Sequence, residues 1–186
     1  MNTFISNYPP KELCDLMISI SQKVAKRNQE IPVVAILCTI TKEKPKGLFF
    51  NSVGYWKIEA ISTNLVRKKK DVKYHAEYVV LEKYKKKSKN FYFSDLILIV
   101  NLEPCYFCYS LITLYRIKKI FYFVRRNKNL SGNDILGFSL KRKSQKKKKF
   151  LNHHTELIQL KEYSTIQKNI IRNFFKRIRK IKKINL

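Results

Sequence analysis

A chain of 186 residues, 45% of them hydrophobic, is long enough for one domain with a full core and too apolar to be disordered throughout. Forty Lys and Arg against thirteen Asp and Glu leave a formal charge of +27, the electrostatic footprint of a nucleic-acid binder, although a low-GC genome, which favours Lys codons, produces the same excess. Four cysteines point to a reducing compartment rather than a disulfide scaffold, and no apolar run approaches the roughly 20 residues that span a bilayer. With Pro9, Pro10, Glu12 and Asp15 near the start and no basic segment leading into an apolar run, no secretory signal is expected, and the chain reads as soluble and intracellular.

Residues 11–27 place Leu13, Leu16, Met17, Ile20, Val24 and Ala25 at a helical period, with Lys23, Lys26 and Arg27 loading the last turn. Ile31 to Ile40 is a continuous apolar, β-branched run, read as a buried strand. A turn over Thr41 to Gly47 leads to Val53–Ser62, whose alternation predicts the partner strand of a hairpin. Arg67-Lys68-Lys69-Lys70 forms a basic loop, either solvated or in contact with phosphate.

From His75 the pattern turns helical, with Ala76, Val79, Val80 and Tyr84 on one face. Leu96 to Val100 is an apolar strand, Pro104 suits the first position of a helix continuing from Cys105 to Tyr115, and Lys119 to Val124 is a further strand. Strand alternating with helix implies an α/β layering over a mixed sheet. Arg125 to Gly137 reads as irregular, and Lys141 to Lys149, with seven basic residues in nine, reads as a mobile loop. A short strand is expected over 156–160 and a basic amphipathic helix over 166–184. Phe174 and Phe175 on that helix read as core rather than as base-stacking platforms.

Two stretches carry the chemistry. Lys73-Tyr74-His75-Ala76-Glu77 is answered about thirty residues on by Glu103-Pro104-Cys105-Tyr106-Phe107-Cys108. A catalytic zinc takes three protein ligands and keeps its fourth position for water, whose pKa falls from about 15.7 to about 7. His75, Cys105 and Cys108 supply such a set, with Glu77 close enough to move a proton without ligating. A Cys-x-x-Cys alone also fits a redox pair or half of a structural zinc site. A structural site would need a fourth ligand from Cys14, Cys38, His153 or His154, none of which forms a second ligand pair except the adjacent histidines. Both motifs open helices, where free N–H groups and the dipole favour thiolate.

His-x-Glu followed by Pro-Cys-x-x-Cys resembles the signature of the zinc-dependent nucleobase deaminases. Further segments resemble the bacterial tRNA-specific adenosine deaminases over about residues 15–180: Glu30-Ile31-Pro32-Val33, Asn64, Arg116-Ile117, Asn152-His153 and Phe174-Phe175-Lys176-Arg177. The sequence departs from the family pattern at Val34, at Tyr109-Ser110-Leu111, at Val72-Lys73-Tyr74 and in the Lys141–Lys149 run. Glu77 is intact, which argues against an inactive partner subunit.

The resemblance implies a single domain over 1–186 with a three-layer α-β-α, cytidine-deaminase-like fold, a mixed central sheet and a basic C-terminal helix. It implies one Zn2+ per chain on His75, Cys105 and Cys108, with Glu77 catalytic, and adenosine-to-inosine deamination at the wobble position of tRNA. Asn64, Ala76, Pro104, Asn152 and His153 are the expected substrate contacts. Arg67, Lys68, Lys69, Lys146, Lys147 and Arg177 are the expected RNA contacts. A homodimer acting on a tRNA anticodon loop is implied, in the cytoplasm or the lumen or matrix of an organelle of bacterial origin, with no membrane partner. The alternatives are a cytosine or dCMP deaminase, or a zinc-stabilised RNA-binding subunit that needs an active partner.

Overall fold

In a computed structural model, residues 8–27, 29–41, 49–51, 54–126, 153 and 155–184 are described. Their apolar residues sort onto two faces of one sheet. Along β1 (Val34–Thr41), Ala35 and Leu37 enter one core, while Val34, Ile36 and Cys38 enter the other, the two-residue period of a strand buried on both sides. β2 (Phe49–Asn51) and β3 (Gly54–Thr63) precede α2 (Val66–Lys69) and α3 (Ala76–Lys85). Then come β4 (Ile97–Leu102), α4 (Tyr106–Leu114), β5 (Lys119–Val124), β6 (Glu156–Gln159), a 3-10 turn at Lys161–Tyr163 and the long α5 (Ser164–Ile184). The first helix, α1, is Lys11–Lys26.

The six strands lie in the order β2-β3-β1-β4-β5-β6. β2, β3, β1 and β4 pair antiparallel, and β4, β5 and β6 pair parallel, so the sheet is mixed as expected. Ala76, Val80 and Leu81 of α3 and Cys108, Tyr109 and Ile112 of α4 close one face. Leu13, Met17 and Ile18 of α1 close the other, beside α5. This is the three-layer α-β-α arrangement.

The structure alters several expected boundaries. β1 begins at Val34 rather than Ile31, because Pro32 has no N–H for a ladder and the Val33 N–H turns back to the Ile31 carbonyl at 2.7 Å. β2, unforeseen, pairs with β3 as the edge strand. The Arg67–Lys70 segment is one helical turn rather than a loop, closed by Lys70 in the left-handed region at φ 52. Pro104 stands one residue ahead of the N-cap, Cys105, and not inside α4. Phe174 is buried, but Phe175 is 39% exposed, so only the first of the pair is core. Residues 42–47 of the expected turn, the basic run over 141–149 and the stretch over 127–137 lie outside the described residues.

A buried carbonyl joins four parts of the chain. The Pro32 oxygen accepts from Asn101 Nδ2 on β4 at 2.9 Å, from Ser21 Oγ on α1 at 2.9 Å, and from Gln167 Nε2 on α5 at 3.3 Å. Asn101 also accepts the Val34 N–H through Oδ1 at 2.9 Å, and Gln167 Nε2 reaches Ser21 Oγ at 3.0 Å. Asn101→Leu strands the Val34 N–H and removes one donor from the hub, a cost of about 2–3 kcal/mol for buried unpaired groups. The expected fall in Tm is on the order of 5–10 °C for a domain of this size, measured by thermal melting of the zinc-loaded protein. A change within about 1–2 °C would remove the hub from the account of stability.

Candidate active site

Two helix starts meet at the C-terminal edge of β4. His75 is the N-cap residue of α3 and Cys105 that of α4, with Cys108 in the first turn. His75 Nδ1 stands 3.5 Å from Cys105 Sγ and 3.5 Å from Cys108 Sγ. Among the described residues these three form the one group of His, Cys, Asp or Glu whose ligand atoms lie together, all within 4.8 Å. A tetrahedron with Zn–N near 2.0–2.1 Å and Zn–S near 2.3 Å has a nitrogen–sulfur edge of about 3.5 Å, so the donor atoms fit zinc in spacing as well as in type. Cys14 and Cys38, the other thiols, are buried in the opposite core layer, where burial pushes Cys14 up to about 12 and Cys38 up as well.

The sulfurs divide a proton between them when no cation is present. The thiol of Cys108, donating to Cys105, and the His75 ring beside it bring Cys105 down to about 3. Cys108, holding that proton and buried, is driven up, and the Cys105 contact raises His75. Metal is bound by thiolate and neutral imidazole, so Cys105 is ready as a ligand while Cys108 and His75 give up their protons as a cation enters.

Glu77 is 1% exposed, and burial holds its carboxyl above the usual range, against the pull of its own backbone N–H. It faces a cavity of about 410 Å³ together with His75 and Asn64, within the roughly 300–1,000 Å³ of small-molecule sites. Ile31, Val33, Leu102 and Val124 supply apolar wall. Asn64 is held by a second buried acid. Its Nδ2 donates to Glu30 Oε2 at 3.0 Å, and Glu30 Oε1 takes the Lys68 N–H at 2.6 Å. A carboxylate only accepts, so the amide nitrogen must be the end turned to Glu30, leaving the amide oxygen as the group for a ligand.

The structure brings His75, Cys105, Cys108, Glu77 and Asn64 together. Ala76 and Pro104 are buried, as the backbone supports of the two helix starts. His153 is not at the cavity: its Nε2 faces the Ile117 carbonyl at 3.2 Å, ahead of β5, whereas the cavity takes Val124 at the far end of that strand. Asn152, Lys146 and Lys147 lie outside the described residues. Arg67, Lys68 and Lys69 are exposed on α2, with Arg67 Nη1 donating to the Gln29 carbonyl at 3.4 Å and Lys69 over the Tyr74 ring at 5.8 Å. Arg177 donates through Nη2 to the Ala25 carbonyl at 2.8 Å, tying α5 to the end of α1.

Residues that the sequence reading did not assign to the site also line it: Arg126 after β5, and Lys168, Ile171, Arg172 and Phe175 on α5. Their spacing on the helix, i, i+3, i+4 and i+7, is a one-face pattern that was available in the sequence. What the pattern lacked was the knowledge of which face turns inward. The departures at Val34 and Tyr109 do not reach the cavity. Val34 is buried against the other layer, and Tyr109 is buried with its hydroxyl on the Thr155 carbonyl at 3.2 Å.

His75, Cys105 and Cys108 on paired helix starts thus suit one zinc ion, with the buried carboxyl of Glu77 beside them at the cavity. Residues 11–124 match the family described as the cytidine and deoxycytidylate deaminase zinc-binding region, and the chain belongs to that family. It is 32% identical over 156 residues, 82% of this chain and 85% of the relative, to the tRNA-specific adenosine deaminase of Buchnera aphidicola subsp. Schizaphis graminum (strain Sg). A solved structure from studies of A-to-I editing by tRNA:A34 deaminases is similar at a TM-score of 0.57 and 19% identity, over 80% of this chain and 96% of that one. Guanine deaminase from Nitrosomonas europaea is similar in fold at a TM-score of 0.56 and 14% identity, over 94% and 93% of the two chains.

Glu30→Gln gives Asn64 a partner with both a donor and an acceptor and so frees its amide to turn. The expected result is a fall of about tenfold in kcat/KM, equivalent to about 1.4 kcal/mol, with zinc content unchanged. Steady-state kinetics beside metal analysis checks it, and unaltered kcat/KM would leave Glu30 as packing only.

Proposed function

We propose that the protein converts adenosine to inosine at the wobble position of a tRNA anticodon loop. The observation that carries this reading is the 32% identity, across most of both chains, to a relative named as a tRNA-specific adenosine deaminase, on a chain whose His75, Cys105, Cys108 and Glu77 are all in place. The +27 charge fits a polyanionic substrate.

Zinc held by His75, Cys105 and Cys108 supplies, when bound, a Lewis acid that makes a water acidic near neutral pH. Glu77 takes a proton from the attacking water and delivers it to N1 of the purine. Oxygen adds at C6. Glu77 then takes the proton of the new C6 hydroxyl and passes it to the amino nitrogen; the C6–N bond breaks as the C6 carbonyl forms, and ammonia leaves. Net, water and adenosine become inosine and ammonia. Burial raises the Glu77 carboxyl towards the working pH, which suits a group that both accepts and gives the proton. The amide oxygen of Asn64, fixed by Glu30, is the contact for the nucleoside, and the buried walls keep bulk water from the ring. Ala76 and Pro104 shape the backbone over the base, and the α2 cations Arg67, Lys68 and Lys69 stand outside the cavity for RNA. A loop base is already unpaired, so its extrusion costs less than the few kcal/mol of a duplex base.

A homodimer belongs to this reading. What supports it is apolar surface on the zinc-bearing helices: Phe107 is 48% and Leu114 65% exposed on α4, and the Phe107 ring lies 6.1 Å from that of Tyr78 on α3. No helix among the described residues is long and apolar enough to cross a membrane. The cytoplasm, or the interior of an organelle of bacterial origin, is where such a substrate is met.

Zinc-loaded wild type incubated with an anticodon stem-loop bearing a wobble adenosine is expected to form inosine, and Glu77→Ala to form none while keeping one zinc per chain. Deamination of free cytidine or dCMP in place of the stem-loop would move the assignment to the pyrimidine enzymes, and inactivity of the protein alone to a subunit needing a partner. In solution the wild type is expected at twice its 22.2 kDa, and Phe107→Asp at 22.2 kDa, by light scattering. Identical masses for the two would remove the α4 face from the interface.

A further inference from the structure

At the end of the sheet opposite the zinc ligands, aromatic rings and cations share an exposed surface. Phe91, Tyr92 and Phe93 lie in the connection that leads into β4, whereas Cys105 follows the other end of that strand. Six residues at about 3.3 Å each put roughly 20 Å between the two ends. Phe93 anchors the connection. It is buried, its ring stacks on Tyr115 at 4.4 Å and 7°, and its N–H donates to the Tyr115 carbonyl at 2.7 Å. Phe91 and Tyr92 turn outward, 80% and 40% exposed, and their rings meet edge to face at 4.9 Å.

Arg116 completes the group, its guanidinium 3.6 Å from the centre of the Tyr92 ring. This arginine follows the C-cap of α4 at φ 61, where helices commonly place glycine. The surface around it is basic. Lys85, Lys86 and Lys89 come from the end of α3 and just beyond, and Arg116 and Lys118 from the link between α4 and β5. All five are exposed, and none pairs with a carboxylate within 4.0 Å among the described residues. Asp95 is the exposed acid of the connection. Lysines at the end of α3 suit the helix dipole, but the dipole does not account for Phe91 beside them. A single exposed ring needs no explanation, whereas rings set among unpaired cations suit a particular ligand.

We propose that Phe91, Tyr92 and Arg116 form a binding surface for single-stranded RNA, separate from the catalytic cavity. Bases stack on the exposed rings, and Lys85 and Lys89 take the neighbouring phosphates. Cationic surfaces with aromatic rings hold single strands in this way with little regard to sequence, because every base has a face to stack. A protein partner is the poorer fit, since lysine is depleted from the centres of protein interfaces. The inference does not depend on which base the cavity deaminates.

The test reads binding to zinc-loaded full-length protein by fluorescence anisotropy. A short oligouridylate, which has no exocyclic amino group to lose, is compared with an abasic strand of the same length and charge. Wild type is expected to bind the oligouridylate about tenfold more tightly, and Phe91→Ala to bring the two strands within about twofold of each other. Lys85→Gln/Lys89→Gln is expected to keep the preference and to flatten log K against log salt by about 1.4, at roughly 0.7 per phosphate contact on a single strand. With 4-thiouridine in the strand, ultraviolet cross-links to wild type are expected on the segment holding Phe91 and Tyr92. Equal binding of the two strands by wild type, an unchanged preference in Phe91→Ala, or cross-links confined to the cavity would each overturn the proposal. So would a change of mass in Phe91→Ala by light scattering, which would make the surface a contact between copies. Failure of wild type to form inosine counts against the proposed reaction and leaves this comparison standing.

Discussion

The Pro32 carbonyl is the point on which the active-site half of the molecule turns. It lies in the Ile31–Val33 segment, which the sheet cannot absorb because Pro32 has no N–H to give. A buried carbonyl without donors is costly, and this one collects them from α1, β4 and α5. The three bonds fix where the cavity wall stands relative to the sheet. They also fix the rotation of α5, and with it the residues that helix turns towards the site. A chain segment that interrupts a strand thus becomes the clasp for a helix more than a hundred residues later.

The metal-binding chemistry depends on a different constraint, the geometry of helix starts. At an N-cap the backbone is extended while the following N–H groups are unsatisfied, so side chains there sit in a positive local field. His75 and Cys105 both occupy that position. The packing of α3 beside α4 on one sheet face brings their side chains to 3.5 Å. One turn further into α4, Cys108 reaches back to the same point. Glu77, on α3, is buried deeply enough that its charge is disfavoured.

The elements with strong periodicity were readable before any coordinates. Lys119–Val124 appears as expected to the residue, α1 differs by one residue at its end, and the helix starts at His75 and Cys105 were anticipated from the motifs. The weak signals failed for identifiable reasons. β2 is three residues long and takes its identity from pairing with β3 rather than from a pattern of its own. Arg67–Lys69 carries only charge, and its helical turn follows from local backbone bonds and from the Lys68 N–H on buried Glu30. Phe174 and Phe175 are adjacent on a helix, so about 100° separates them, and only tertiary packing decides which is inside. His153, linked to the substrate by resemblance, has its ring Nε2 at the Ile117 carbonyl, ahead of β5.

The residues alone pointed to the His75, Cys105 and Cys108 group, to Glu77 as the carboxyl beside it, and to the layered α/β architecture. These depend on residue type and short spacing, which survive without knowledge of where the chain goes. Tertiary structure alone decided the composition of the cavity. Glu30 meets Asn64 across 34 positions, and Lys168 and Arg172 line one cavity with Arg126 because α5 returns over the sheet and is held by Gln167. A helix face has no inside until something packs against it, and the three-dimensional path of the chain supplies that surface.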